Sequence, residues 1–198
     1  MNTTKKKGKN KMNNTYSNIS TKTAGAWFDI CEREIERQND LKTTENRIGR
    51  SNCAKAIRKM EKLESILMSV PADVELTVEG CRGDNERGFS LCNAGSIVEC
   101  VVKYHFGVSK EAVSKTFGDG YDFKMGCIPC EVKTSLTCNA LATPSEAEFT
   151  LLVNAVGVWL IKKAEVMNYV NARGRLPFNL TAGKRIDWLS DRLGLGEE

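Results

Sequence analysis

The sequence predicts a mixed α/β fold: a mixed central β-sheet flanked by helices, preceded by an N-terminal helical extension. Two observations support this prediction. Apolar residues recur at helical spacing over residues 24–70, and from Val74 onward they alternate or run continuously as they do in strands. The length of 198 residues allows one domain with a substantial core. Helices followed by strands and then by helices are typical of a mixed α/β domain.

The predicted elements divide the chain into three parts. We expect residues 1–22 to be a disordered tail, residues 23–72 to be the helical extension, and residues 73–198 to be the α/β domain. The predicted helices cover residues 24–38, which end at an Asn39–Asp40 break, and residues 44–70, 97–106, 164–171 and 184–193. The predicted strands are residues 74–78, a hairpin over residues 121–136 with Gly126 at its turn, and a second hairpin over residues 149–161.

The positive charge of the chain is concentrated at its N-terminus. The formal net charge is +4, but residues 1–23 contain six lysines and no acid. The rest of the chain holds 23 basic and 25 acidic residues, a formal charge of −2. Residues 1–22 are mostly Asn, Lys, Thr and Ser, a composition that buries too little apolar surface to fold, which is why we expect a disordered basic tail.

The apolar segments favour neither a membrane protein nor a secreted one. The longest uncharged apolar run, residues 149–161, is too short to span a bilayer, and no apolar segment follows the basic N-terminus. Without a secretion signal, the eight cysteines of the chain are expected to be reduced thiols. We therefore expect a cytoplasmic protein that does not bind membranes.

The cysteine spacing argues against a zinc site. Cys127 and Cys130 form a single CxxC pair, and His105 is the one histidine of the chain. A structural zinc ion needs four ligands, and this pair supplies two, so further ligands such as Cys81 or Cys92 would have to be recruited. We therefore expect reduced cysteines that act as small hydrophobic residues instead.

The first predicted hairpin brings together side chains that suit metal-dependent hydrolysis. Glu131 and Lys133 point to one face of their strand because side chains alternate. With Gly126 at the turn, Asp122 lies on the neighbouring strand, close to level with Glu131. Two carboxylates are a usual protein site for Mg²⁺, and a neighbouring lysine can hold the attacking water or neutralise charge in the transition state. An ordinary solvated strand face with a cross-strand ion pair is the alternative.

These residues resemble the active site of the PD-(D/E)XK nuclease superfamily. In that family an Asp on one strand is followed by (Asp/Glu)-x-Lys on the next, as in Asp122, Glu131 and Lys133. The run Gly-Ser-Ile-Val-Glu that ends at Glu99 is similar to the start of the family's first core helix, where several branches place a further metal-supporting Glu. The resemblance covers about residues 93–170 and implies a sheet of restriction-endonuclease-like type.

Three features depart from the family pattern. Tyr121, not proline, precedes Asp122. Pro129 lies inside the hairpin, where the missing N–H predicts that the strand starts late or bulges. The family's second core helix would occupy residues 136–148, but Pro144 interrupts the short segment available for it.

The resemblance implies a metal-dependent DNA endonuclease. Asp122, Glu131 and the Val132 carbonyl would bind Mg²⁺, or alternatively Mn²⁺. Glu99 would support the metal or its waters, and Lys133 would orient the attacking water. The products would carry 5′-phosphate and 3′-hydroxyl ends. The substrate is open among branched DNA, a specific duplex site and DNA ends, and a homodimer is also left open.

Two groups of basic residues are the predicted DNA contacts, because each collects positive charge on one part of the chain. They are Lys55, Arg58, Lys59 and Lys62 on the second helix, and Arg173, Arg175, Lys184 and Arg185 near the C-terminus. Solvated surface is the ordinary alternative for both groups. For the whole protein, the alternatives are a non-catalytic DNA-binding or regulatory protein and a helical module that binds another protein.

Overall fold

The computed structural model describes residues 20–78, 94–108, 120–142 and 145–196. The helices are α1 (Ala24–Thr44), α2 (Arg47–Leu67), α3 (Ala94–His105), α4 (Lys163–Val166), which continues into a 3₁₀ turn (Met167–Tyr169), and α5 (Asp187–Arg192). The strands are β1 (Ser20–Thr23), β2 (Glu75–Val78), β3 (Phe123–Met125), β4 (Ile128–Ser135), β5 (Ala140–Leu141), β6 (Phe149–Asn154), β7 (Gly157–Lys162), β8 (Arg175–Leu176) and β9 (Lys184–Arg185). The predicted mixed α/β class is confirmed.

The chain is already ordered before the first helix. β1 pairs antiparallel with β2, and Ser20 lies opposite Val78. The Thr21 and Thr77 hydroxyls hydrogen-bond across this pair at 3.0 Å. The predicted disorder is therefore wrong for residues 20–22, because a partner strand 55 positions away in sequence satisfies their backbone. The rest of the predicted tail, residues 1–19, lies outside the described residues.

The first two helices form an antiparallel hairpin. α1 continues through Asn39 and Asp40 to Thr44, so the predicted break there is wrong. Asn39 and Asp40 are exposed, and their weak helix propensity does not end a helix whose preceding turns pack against α2. α2 begins at Arg47, three residues later than predicted, because the Asn46 side chain caps it by accepting two backbone N–H groups.

The central sheet has the strand order β3-β4-β6-β7-β9 among the described residues. β3 and β4 form the predicted hairpin, with Gly126 at φ +66° in its turn, and β6 and β7 form the second predicted hairpin. β4 and β6 run parallel, with Cys130 opposite Phe149. β9 closes the sheet antiparallel to β7.

The connection from β4 to β6 does not contain the second core helix that the resemblance implies, as far as residues 136–142 and 145–148 describe it. It contains β5 instead, which pairs antiparallel with β8, so that Ala140 lies opposite Leu176. The sequence did not predict β5 or β8, because strands of two residues leave no periodicity.

The two faces of the sheet pack against different layers. Cys130, Val132 and Leu151 share one face, which we call the helical face, because they belong to the hydrophobic cluster that contains α1, α2 and α3. This cluster runs without a break from the helices to the sheet, so no separation of cores marks the predicted boundary at residue 73.

The opposite face, which carries Glu131, Lys133 and Leu152, is called the C-terminal face. Leu152 packs with Ala140 and Leu176 in a second, smaller cluster. The predicted helix over residues 164–171 is only α4 and its 3₁₀ turn, and residues 184–193 form β9 and then α5 instead of one helix. No helix in the described part of the chain is long and apolar enough to cross a membrane.

Candidate metal centre and nucleic-acid surfaces

The β3–β4 hairpin positions Asp122 at the point where its regular pairing ends. The last pair of the ladder is Phe123 with Cys130, and an unbroken register would place Asp122 opposite Glu131. The Asp122 N–H instead donates to the Cys130 carbonyl at 2.9 Å, one residue before Glu131. Of the two alternatives predicted for Pro129, a late strand start is wrong, because β4 starts at Ile128. The pairing does become irregular at Cys130, the residue after Pro129. Such a departure from regular pairing re-aims the side chains beside it.

The Asp122 side chain contacts β4 directly. Its Oδ2 accepts a hydrogen bond from the Val132 N–H at 2.7 Å. The N–H and C=O of one residue point to the same side of an extended strand. The Val132 carbonyl is therefore directed to the side on which Asp122 lies, away from the ladder between β4 and β6. Asp122 and Val132, two of the predicted metal ligands, are thus neighbours.

Glu131 and Lys133 form an ion pair between Lys133 Nζ and Glu131 Oε1 on the C-terminal face. The Glu131 side chain is 14% exposed and the Lys133 side chain 18% exposed, so solvent reaches both. In the parallel register they lie beside Thr150 and Leu152 of β6. The lysine neutralises the carboxylate in this arrangement, and both charged groups remain accessible from the C-terminal face.

Glu99 is placed differently from the other candidate residues. It lies on α3, which packs on the helical face, where Gly95 lies against Thr134 of β4. Glu99 Oε1 accepts a hydrogen bond from Lys103 Nζ at 2.6 Å, and Lys103 is fully buried. In the described residues, no group of three or more His, Cys, Asp or Glu side chains could hold a metal ion. Glu99 therefore does not complete such a group with Asp122 and Glu131 there, and its metal role stays a prediction.

The remaining donor set suits a hard divalent cation. Asp122 and Glu131 offer carboxylate oxygens, and Val132 offers a carbonyl oxygen on the side of Asp122. Mg²⁺ is commonly held by one or two carboxylates, with waters and substrate phosphate completing an octahedral shell. Mn²⁺ accepts the same ligands.

The CxxC cysteines have different surroundings. Cys127 is exposed in the hairpin turn, whereas Cys130 is buried on the helical face. Burial is the main cause that raises the pKa of the Cys130 thiol, and the nearby Glu148 carboxylate adds to it. Cys130 is therefore a thiol at neutral pH and a poor metal ligand or nucleophile. Cys81 and Cys92, which zinc would require, lie outside the described residues.

The two predicted groups of DNA contacts lie on different parts of the molecule. The basic residues of α2 belong to the helical layer: Lys55 and Arg58 are exposed, and Lys59 and Lys62 are half-buried. α2 packs with α3 in the cluster on the helical face, so these side chains are not on the side of Glu131 and Lys133.

The C-terminal group is closer to the candidate centre. Arg173 lies two residues before Arg175, the first residue of β8, and β8 packs over the C-terminal face through Leu176. Lys184 is exposed on β9. Arg185 instead ties the fold together, because it donates to Asp187 Oδ1 at 2.6 Å and to the Leu195 carbonyl at 3.3 Å.

Sequence reasoning missed the exposed apolar side chains beside these arginines. Leu141 of β5 is 52% exposed and Phe178, which follows β8, is 43% exposed. A signal was present in the sequence: residues 166–186 contain four basic residues and no acid. An acid-free stretch with arginines and an aromatic residue is more typical of a nucleic-acid surface than of a generic solvated one.

Comparisons with known proteins found no match: no protein family, no curated protein and no solved structure is detectably similar to this chain.

Proposed function

We propose that this protein is a metal-dependent DNA endonuclease with a restriction-endonuclease-like fold. The observation that supports the proposal most directly is the hydrogen bond between the Asp122 carboxylate and the Val132 N–H, next to the Glu131–Lys133 pair. It places the Asp122 carboxylate against β4, the strand that carries Glu131 and the cationic side chain of Lys133. This is the arrangement that the resemblance to the PD-(D/E)XK nucleases implies.

A divalent cation bound by Asp122, Glu131 and the Val132 carbonyl would supply charge neutralisation and a water of lowered pKa. Lys133 then has two tasks. It holds the attacking water in line with the phosphorus, and it offsets the negative charge that develops on the phosphate oxygens. Water gives its oxygen to phosphorus and releases a proton, the P–O3′ bond breaks, and the leaving 3′ oxygen takes up a proton. The products are a 5′-phosphate and a 3′-hydroxyl.

The ion pair with Glu131 is consistent with this role. Without metal, Lys133 neutralises Glu131, and metal binding to Glu131 would release this contact of the lysine ammonium for water and phosphate. Both groups are partly exposed, so this exchange requires no opening of the core.

The test is cleavage of plasmid and branched DNA in the presence of Mg²⁺ by the wild type and the Glu131→Gln and Lys133→Met variants. We expect each variant to lose at least about 100-fold in rate, since removing one transition-state contact of this kind typically costs that much. EDTA should abolish cleavage and added Mn²⁺ should restore it.

Lys124→Met is the matched control. Lys124 lies on the same hairpin, in an acid-x-lysine sequence that begins at Asp122, but it is exposed beside the Tyr121 ring. We expect its cleavage rate to stay within about twofold of wild type. Equal rates for the wild type and all three variants would show that the activity comes from elsewhere. No cleavage of any substrate by the wild type would leave the non-catalytic DNA-binding alternative.

A further inference from the structure

The small β5–β8 sheet buries its inner residues in the second cluster and exposes side chains on its outer side. Leu141 and Arg175 lie opposite each other on its outer side, whereas Ala140 and Leu176 lie on its inner side and are buried. Phe178 follows directly and exposes 43% of its surface. We call Leu141, Arg173, Arg175 and Phe178 the C-terminal ridge.

The backbone beneath the ridge is held by two asparagines. Asn139 Oδ1 accepts the Phe178 N–H at 3.2 Å, and the Asn139 carbonyl accepts from Arg175 Nη1 at 3.3 Å. Asn171 Oδ1 accepts the backbone N–H groups of Arg173 at 2.9 Å and Arg175 at 3.2 Å. The exposed side chains are therefore carried by a fixed backbone and not by a loose loop.

The segments that carry the ridge are basic, although Glu131 and Asp187 lie directly beyond their ends and pair with Lys133 and Arg185. Residues 132–145 and 166–186, which supply β5, β8 and their flanks, contain five basic residues and no acid. Two of the five belong to the ridge, and a third is Lys133. A surface of this kind attracts polyanions, which include nucleic acids and acidic proteins.

The ridge also lies on the same side of the sheet as the candidate metal centre. Its inner residues Ala140 and Leu176 pack on Leu152, and Leu152 is the register partner of Lys133 on the neighbouring strand. A strand of DNA that contacts Arg175 is therefore on the face from which Glu131 and Lys133 are accessible.

The apolar members of the ridge indicate which form of DNA fits. A paired duplex presents phosphates and sugars to a ridge, and these gain nothing from an exposed phenyl ring. Unpaired nucleotides expose their base faces, which stack on aromatic side chains, while arginines contact their phosphates. We propose that the C-terminal ridge binds unpaired nucleotides, so that the substrate of this protein is DNA with a single-stranded segment. That this DNA is a substrate rests on the proposed nuclease function, but binding of unpaired nucleotides does not require catalysis.

The experiment measures fluorescence anisotropy of the full chain in EDTA with a labelled 20-nucleotide single strand and with the matching duplex. The variants are Phe178→Ala, Phe178→Trp and the double variant Arg173→Ala/Arg175→Ala. Met68→Ala is the control, because Met68 is an apolar residue at the end of α2 that is more exposed than Phe178, 74% against 43%. The basic N-terminal residues contribute to both DNA forms, so the ratio of the two affinities isolates the ridge.

We expect the wild type to bind the single strand at least about fivefold more tightly than the duplex. Phe178→Ala should weaken single-strand binding about tenfold, within the range for loss of one base–aromatic stack, and leave duplex binding within twofold. Phe178→Trp should restore the preference, the arginine double variant should weaken both affinities, and Met68→Ala should change neither. Equal loss of both DNA forms in Phe178→Ala, or no preference in the wild type, would overturn the inference.

Two further outcomes distinguish this inference from a membrane-binding role of the ridge and from the nuclease proposal. Phe178-dependent sedimentation with vesicles containing 30% phosphatidylserine, without a Phe178-dependent preference for single strands, would assign the ridge to a membrane surface and overturn the inference. Failure of the nuclease proposal shows instead as absence of Glu131-dependent cleavage, whatever the anisotropy gives. A preference for single strands without cleavage would keep the ridge and reject the enzyme.

Discussion

Two glutamate–lysine pairs lie on opposite sides of the central sheet, and they differ in what can reach them. The pair between Glu99 and Lys103 spans one turn of α3, and its lysine is fully buried. The pair between Glu131 and Lys133 spans two residues of β4, and both side chains remain partly exposed. The chemistry of the two pairs is the same, so their accessibility decides what each can do.

The difference separates a structural ion pair from a candidate catalytic one. A buried lysine cannot exchange its carboxylate for water and phosphate without opening the core, and removing its partner leaves an uncompensated charge. The two carboxylates are almost equally exposed, 13% for Glu99 and 14% for Glu131, so the difference lies in the lysines. Lys133, 18% exposed, can exchange its carboxylate for water and phosphate without an opening of the core. The position of Asp122 beside β4 adds the second carboxylate on that side only. We therefore expect substitutions in α1, α2 and α3 to change the free energy of unfolding. Substitutions of Asp122, Glu131 and Lys133 should change the cleavage rate instead.

We expect the largest effect from Lys133→Met, which should lower the cleavage rate without weakening metal binding. Removing the lysine should lower the cleavage rate by about 100- to 1000-fold, because one contact to the transition state is lost. Metal binding should not weaken, since Glu131 loses the ammonium that competes with the cation. Isothermal titration with Mn²⁺ measures the binding, and plasmid nicking measures the rate. Loss of Mn²⁺ affinity in parallel with the rate would mean that Lys133 only maintains the local structure.

The second-largest expected effect is a loss of stability in the Lys103→Met variant. This substitution keeps the apolar stem but leaves the mostly buried Glu99 without the ammonium that contacts it at 2.6 Å. Breaking a buried pair from one side typically costs about 3 kcal/mol of unfolding free energy, which is measured by urea denaturation. The double variant Glu99→Gln/Lys103→Met removes both charges and should regain most of that loss. If the double variant is as unstable as the single one, packing rather than charge is what Lys103 contributes.

The sequence was sufficient to predict the hairpin with its turn at Gly126, the strand over Glu131 and Lys133, and the α/β class, because these depend on local spacing. It was not sufficient where distant partners decide. β1 is a strand because β2 pairs with it, and α1 continues through the exposed Asn39 and Asp40 because its preceding turns pack against α2. The ion pair between Glu99 and Lys103 fits the i, i+4 spacing, but nothing in that spacing reveals that Lys103 is buried.

The environment of His105, also on α3, makes the third prediction. The Ser69 hydroxyl donates to the Ile66 carbonyl at 2.6 Å, so Ser69 Oγ is the acceptor for His105 Nε2 at 2.8 Å. The buried Nδ1 has no hydrogen-bond partner among the described residues, so protonation would add an unsatisfied N–H. Burial, and then the charge of Arg192, lower the pKa of His105 in the folded protein.

The sign of the resulting pH dependence follows from that lowered pKa. The unfolded chain takes up a proton near the ordinary histidine pKa of about 6.5, and the folded protein does so only at lower pH. Stability from the neutral ring is therefore present above about pH 6.5 and is lost as the pH falls through the window between the two pKa values. Urea midpoints measured from pH 5 to pH 8 should rise with pH, and His105→Gln should flatten this rise. An unchanged slope in His105→Gln would assign the dependence to other groups.

The smallest expected effect concerns Glu64 on α2. Its pH dependence of stability has the opposite sign to that of His105. Burial, and then the neighbouring charges of Glu32 and Glu61, raise the pKa of Glu64, whose buried Oε1 has no hydrogen-bond partner among the described residues. The folded protein therefore keeps this proton to higher pH than the unfolded chain, whose glutamates titrate near pH 4.3. The stability that comes from the protonated form is lost as the pH rises through the raised pKa.

Glu64→Gln replaces the carboxyl with a group that cannot ionise, so it should stabilise the protein at neutral pH and not at acid pH. Because Glu64 is only partly buried, solvent screens the effect, and we expect less than about 1 kcal/mol, or about 2 °C in Tm, at pH 7.5. The difference from wild type should vanish near pH 4, where the wild-type carboxyl is also protonated. Glu36→Gln, an exposed change on α1, is the matched control and should show no such pH dependence. A stabilisation of equal size at both pH values would come from packing of the amide and not from the charge.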